Sequence, residues 1–76
     1  MMSDKKYIFG RSRLARELLT AGYIIKETAN PYNATKRNWT CDLSQPGSAE
    51  LIYNYLTENN FTVPSIIIEA VNHAEV

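Results

Sequence analysis

Between Tyr7 and Thr28 the hydrophobic pattern changes period twice, and this limits the fold more than any other feature of the chain. Tyr7-Ile8-Phe9 and Tyr23-Ile24-Ile25 are short runs of aromatic and β-branched residues, the types that fit a half-buried pleated surface, so both read as strands. Between them Leu14, Ala15, Leu18 and Leu19 recur at i, i+1, i+4 and i+5, which places them on one face of a helix. Arg13, Arg16, Glu17 and Thr20 fall largely off that face. Gly10 or Ser12 is the expected N-cap. Gly22 ends the helix in a left-handed conformation, with Tyr23 folding back onto the last turn.

The next ten residues, Ala29 to Asn38, are dense in turn formers around Asn30-Pro31 and read as a loop. From Asn38 to Leu43 the chain alternates, with Trp39, Cys41 and Leu43 on one face and Thr40 and Asp42 on the other. This is the pattern of a strand with one buried side. The second and third strands then form a long-looped hairpin. Ser44 to Ser48 closes it and opens a second helix, capped by Ser48 or Ser44 with Pro46 near its first turn. Leu51, Ile52, Tyr55 and Leu56 repeat the spacing of the first helix, and Asn59-Asn60 stops it. In the tail, Ile66, Ile67, Ala70, Val71 and Ala74 again follow helical spacing. This favours a third helix opened by Pro64-Ser65, with Glu69 and His73 suiting its dipole.

The expected fold is therefore α+β, a two-layer sandwich of order β-α-β-β-α with a C-terminal third helix packed on a three-stranded sheet. The first strand pairs either with the second in parallel or with the third antiparallel, the latter being preferred. In either case one sheet face has no helix over it. Ile8 and Ile24 are candidates to form an apolar patch there, which makes a homodimer an expectation.

Tyr7-Ile8-Phe9, the helix closing on Leu18-Leu19 and Gly22-Tyr23, the Asn30-Pro31 loop with its basic residues and the aromatic third strand together resemble a group of short, uncharacterised proteins of Gram-positive bacteria and their mobile elements. The resemblance covers roughly residues 7–57 and implies a strand-helix-hairpin-helix domain, with residues 61–76 as an extension. It brings no activity and no functional residues with it.

Seventy-six residues allow a single small domain, 1–76, near the lower limit for folding without a metal or disulfides. Cys41 is the single cysteine, so no disulfide closes within the chain and a reduced compartment is the simplest setting. The N-terminal lead is too short for a signal peptide or a membrane span, so the expected location is the cytoplasm, with no membrane partner. The three Asn-x-Thr sequons at Asn33, Asn38 and Asn60 are accordingly taken as chance.

Enzymatic chemistry needs convergent groups of tuned reactivity, and this chain offers few. His73 reads as a solvated helix-end residue, Cys41 as a buried inert thiol, and Asp42 and Glu50 as solvated acids. Gly10-Arg11-Ser12-Arg13 has the strand-to-helix context of a phosphate site but lacks any glycine-rich fingerprint, so an ordinary turn is the better reading. No enzyme, cofactor or metal is expected.

The one unusual feature is charge order. All eight Lys and Arg lie in residues 1–40 beside three acids, whereas residues 41–76 hold the other five acids and no Lys or Arg. The candidate binding residues are Arg11, Arg13 and Arg16 at the first helix and Tyr32, Lys36 and Arg37 in the hairpin loop. They suit a protein-interaction module steered by complementary charge, or a nucleic-acid surface with aromatic residues among its cations. The asymmetry can also simply balance within the folded monomer. A net charge of zero and the lack of a second helix before the hairpin, which a winged helix requires, favour a protein partner or self-association over nucleic acid.

Overall fold

The computed structural model describes residues 5–30 and 32–74. Pro31 of the expected breaker, the first four residues, the last two, and the side chains of Ala34, His73 and Ala74, the last of these expected on the third helix's apolar face, lie outside what it describes. The elements run β1 (Lys6–Phe9), α1 (Ser12–Thr20), β2 (Ile25–Asn30), β3 (Asn33–Asp42), α2 (Ser48–Glu58) and α3 (Ser65–Ala74). β3 is central in the order β1-β3-β2 and pairs antiparallel with both neighbours, so the preferred pairing of the first strand holds.

α1 buries Leu14, Ala15 and Leu18, but Leu19 is 57 % exposed, contrary to its expected place in the core. Its direction explains the difference. Leu19 lies about 120° round the helix from the midpoint of Leu14 and Leu18, so a nine-residue helix meeting its neighbours over a narrow stripe leaves it out. Neither Gly10 nor Ser12 caps this helix. Arg11 does, with extended backbone and a carbonyl that accepts the Ala15 amide at 3.1 Å, and no side chain adds to it.

At the other end, the Tyr23 amide donates to Leu18 and the Gly22 amide to Leu19, both at 3.0 Å, with Gly22 at φ 96°. This is the paired closure of a left-handed helix terminus. It also corrects the second strand: Tyr23 is occupied in ending α1, so β2 begins only at Ile25.

α2 ends in the same way, Phe61 donating to Leu56 and Asn60 to Thr57 with Asn60 at φ 62°. Its start differs from expectation, because Gly47 at φ 81° is the N-cap and neither serine fills that role. The Ser48 hydroxyl donates to the Gln45 carbonyl and that of Ser44 to Asp42, both at 2.8 Å. Ile52, Tyr55 and Leu56 are buried and Leu51 is half-buried. α3 brings the fully buried Ile67, with Ile66, Ala70 and Val71 packed around it, so the tail joins the same core as Phe9, Leu14, Leu18 and Cys41.

The largest correction concerns residues 29–38, which are mostly strand. β2 runs to Asn30 and β3 starts at Asn33, so the hairpin is long in its arms and tight at its tip. Two asparagines tighten it: Asn30 Oδ1 accepts the Tyr32 amide at 2.8 Å and Asn33 Oδ1 accepts the Thr35 amide at 3.1 Å. Opposite Asn30 and Ala29 stand Asn33 and Arg37, so residues 34–36 bulge from the ladder.

The sheet face away from the helices is uncovered, as expected, but its apolar patch is not continuous. Ile8 and Ile24 are 66 % and 78 % exposed, yet Ile8 stands in a row with Thr40 and Lys26, and Lys6 and Asp42 form the next pair.

Candidate binding surface

β3 has ten residues and β1 only four. The last pair between them is Phe9 with Trp39, so from Asn38 back to Asn33 the central strand has β2 on one side and no third strand on the other. The result is a two-stranded arm standing beyond the sheet proper. The molecule measures 40 × 31 × 23 Å with a radius of gyration of 12.2 Å, somewhat above the ~11.4 Å of a compact chain of this length.

Where β1 stops, the chain turns away at Gly10, and the vacated space is an open groove of about 460 Å³ lined by Gly10, Asn30, Lys36, Arg37, Asn38 and Trp39. A side chain at position 10 would come within 3.4 Å of Asn38 Oδ1, so the glycine keeps the groove's inner wall low. Trp39 is half-buried and stacks on Phe9 at 6.0 Å between ring centroids, which in turn stacks on Tyr7 at 5.4 Å. The tryptophan is thus held in a fixed orientation by its neighbours.

The six candidate residues are divided among four places. Lys36 and Arg37 line the groove. Tyr32, 96 % exposed, stands at the tip of the arm. Arg11 follows Gly10 directly, but its guanidinium lies 3.5 Å over the Phe61 ring centroid, tying the start of α1 to the segment between α2 and α3. Arg13 and Arg16 are exposed on the outer side of α1, and none of the described contacts brings them to the groove. Gly10, Asn30, Asn38 and Trp39 belong to the groove and are not among the candidates from sequence. The signal that could have found them is the difference in length between the first and third strands.

Charge on the arm is mixed. Arg37 Nε lies 3.4 Å from Glu27 Oε2 with both side chains more than half exposed, a pair worth at most about 1 kcal/mol in water. Lys26 and Lys36 are exposed as well. Elsewhere, Lys5 meets Glu69 of α3 at 3.9 Å, so one contact joins the basic and acidic halves of the sequence. Most cations lie on β1, α1 and the arm, and Glu50, Glu58 and Glu69 lie on α2 and α3, but Asp42 ends β3 opposite Lys6, so the two halves share the central strand.

Cys41 is fully buried, and burial pushes its thiol pKa up, partly offset by the neighbouring Ser48 hydroxyl and reinforced by the nearby Asp42 charge. That is the direction of an unreactive thiol. The Asp42 carboxyl is held below its ordinary value because it accepts both the amide and the hydroxyl of Ser44. Among the described residues no three His, Cys, Asp or Glu side chains converge, and no helix is long and apolar enough to cross a membrane. Set against protein-family models, curated proteins and solved structures, the chain matches none of them.

Proposed function

We propose that this protein is a non-enzymatic interaction module that engages a protein partner through the β2–β3 arm. The observation that carries this is the composition of the arm: a fully exposed tyrosine at the tip, and exposed Lys26, Glu27, Lys36 and Arg37 with both signs of charge side by side. Tyrosine and arginine dominate protein interfaces energetically, and alternating charge fixes register and partner choice. The resemblance to mobile-element proteins makes a host protein the partner to seek, one whose activity this small domain modulates in the cytoplasm. Neither catalysis nor a cofactor enters this reading.

Tyr32→Ala combined with Arg37→Ala is the test, because neither side chain belongs to the core. The double variant is expected to melt within a few degrees of the parent and to weaken partner binding by at least about thirtyfold, the loss of one strong interface contact. Affinity capture from host extract, quantified for both proteins, measures it. Equal recovery of the same proteins by parent and variant would refute the role of the arm.

One observation favours nucleic acid as a second reading: the groove sets Lys36 and Arg37 beside Trp39 and two asparagine amides. An aromatic ring among cations and amides is how single strands are held without sequence preference. On this reading affinity for a mixed oligonucleotide pool falls steeply with salt, by a slope of about −0.9 per phosphate neutralised on duplex DNA. Lys36→Ala with Arg37→Ala flattens it by up to about two units. Absence of binding to single-stranded and duplex pools at low salt ends this reading. Self-association has less support, since lysines and Asp42 interrupt the free sheet face around Ile8 and Ile24.

A further inference from the structure

The hydrogen bonds of one glutamine establish which backbone groups of β2 are free. Gln45 Oε1 accepts the Ile24 amide at 2.8 Å and Gln45 Nε2 donates to the Ile24 carbonyl at 2.9 Å. The side-chain amide thereby stands in for a strand residue just past the end of β3, and both backbone groups of Ile24 point towards the sheet. In an antiparallel pair this alternates along the strand. Lys26 and Thr28, opposite Thr40 and Asn38, therefore bond inward, while Ile25, Glu27 and Ala29 direct their N–H and C=O groups outward.

The other edge gives the same phase independently. The Leu43 amide donates to the Lys5 carbonyl at 3.0 Å, so residues 43, 41 and 39 serve β1 and residues 42, 40 and 38 are left to serve β2. Residues 26–29 are exposed on both faces of the sheet, and β2 is an edge strand. Three donors and three acceptors at two-residue spacing thus point away from the sheet, two pairs on the exposed Glu27 and Ala29 and one on the half-buried Ile25. Such a row templates an added strand.

Deepening the proposed protein-interaction role, and resting on it, we propose that β2 accepts an extended segment of a partner protein as a fourth, antiparallel strand, bonded to Ile25, Glu27 and Ala29. Charge on the edge selects the occupant. Glu27 on the helix side of the sheet calls for a base opposite it, and Lys26 on the free side calls for an acid. In an antiparallel strand the base immediately precedes the acid, with an apolar residue following to meet Ile25. A second copy of this chain fits less well. Only the register centred on Glu27 joins all three outward residues to those of a copy, and it sets Glu27 directly against Glu27.

The probe is a capped heptapeptide, Thr-Val-Thr-Lys-Glu-Val-Thr, added to the full chain and followed by residue-resolved amide hydrogen exchange. At a peptide concentration about ten times its Kd, exchange at Ile25, Glu27 and Ala29 is expected to slow about tenfold, with the amides of Lys26 and Thr28 already slow in the free protein. Glu27→Pro removes one outward donor and no inward one, as an edge strand tolerates, and should keep the fold and lose the peptide. Ala29→Pro repeats the test one pair along. No protection at these three amides at millimolar peptide, or unchanged binding by a folded proline variant, overturns the proposal. If Tyr32→Ala with Arg37→Ala still abolishes partner capture, the arm remains the interface and only the added strand is rejected.

Discussion

Leu18→Asp is expected to abolish the cooperative thermal melt. Leu18 is fully buried between α1 and the sheet, in the cluster that includes Leu14, Phe9 and Cys41. The substitution removes roughly 2 kcal/mol of apolar burial and places a carboxylate where no partner waits, a combined cost above about 4 kcal/mol. A domain of this length has a net stability of about 4–11 kcal/mol, so the loss consumes a large part or all of it. Circular dichroism against temperature reads the result directly. A sigmoidal transition near that of the parent would mean that α1 does not pack as described.

Gly47→Ala should lower the melting temperature by about 10–20 °C, and Gly22→Ala by about half as much. Both glycines have positive φ, 81° and 96°, which costs an L-residue about 1–2 kcal/mol. The difference lies in what surrounds them. A Cβ at Gly47 would stand 2.6 Å from the Tyr23 hydroxyl, whereas at Gly22 nothing lies within 4 Å. Tyr23 donates that hydroxyl to the Pro46 carbonyl at 2.8 Å and packs against the core, so moving it aside forfeits about 1 kcal/mol more. Equal shifts for the two variants would show that the tyrosine yields freely.

The helices were legible because their burial is periodic: Leu14 and Leu18, Ile52 and Leu56, and Ile67 in the tail all follow the 3.6-residue repeat inward. Residues 29–38 were not. Thr28, Ala29, Thr35, Lys36 and Arg37 are exposed, so no alternation of apolar and polar types marks them as strand, and what holds them is a ladder of backbone bonds that composition does not encode. The same residues that look like turn formers, Asn30 and Asn33, do form a turn, but one narrowed to the tip. Lys36 and Arg37 could be picked out by charge. Gly10 and Asn38 could not, because their groove exists only where a four-residue strand ends beside a ten-residue one. The caps are hidden for a related reason: serines stand near both helix starts, but the backbone at Arg11 and Gly47 occupies the cap position.

β3 is the partner of both other strands, and this imposes an order on assembly. Its pairing with β2 joins strands that end at Asn30 and begin at Asn33, an event of microseconds for a hairpin. Its pairing with β1 must bring Phe9 to Trp39 across some thirty intervening residues, at a loop-closure cost that the hairpin does not bear. The helices α1 and α2 lie on either side of the hairpin in the chain, so neither can find its full face until that longer closure is made. The rate-limiting step of folding is therefore expected to be the docking of β1 with α1 onto a hairpin already formed, and mutations at the Phe9–Trp39 contact should slow folding more than they hasten unfolding.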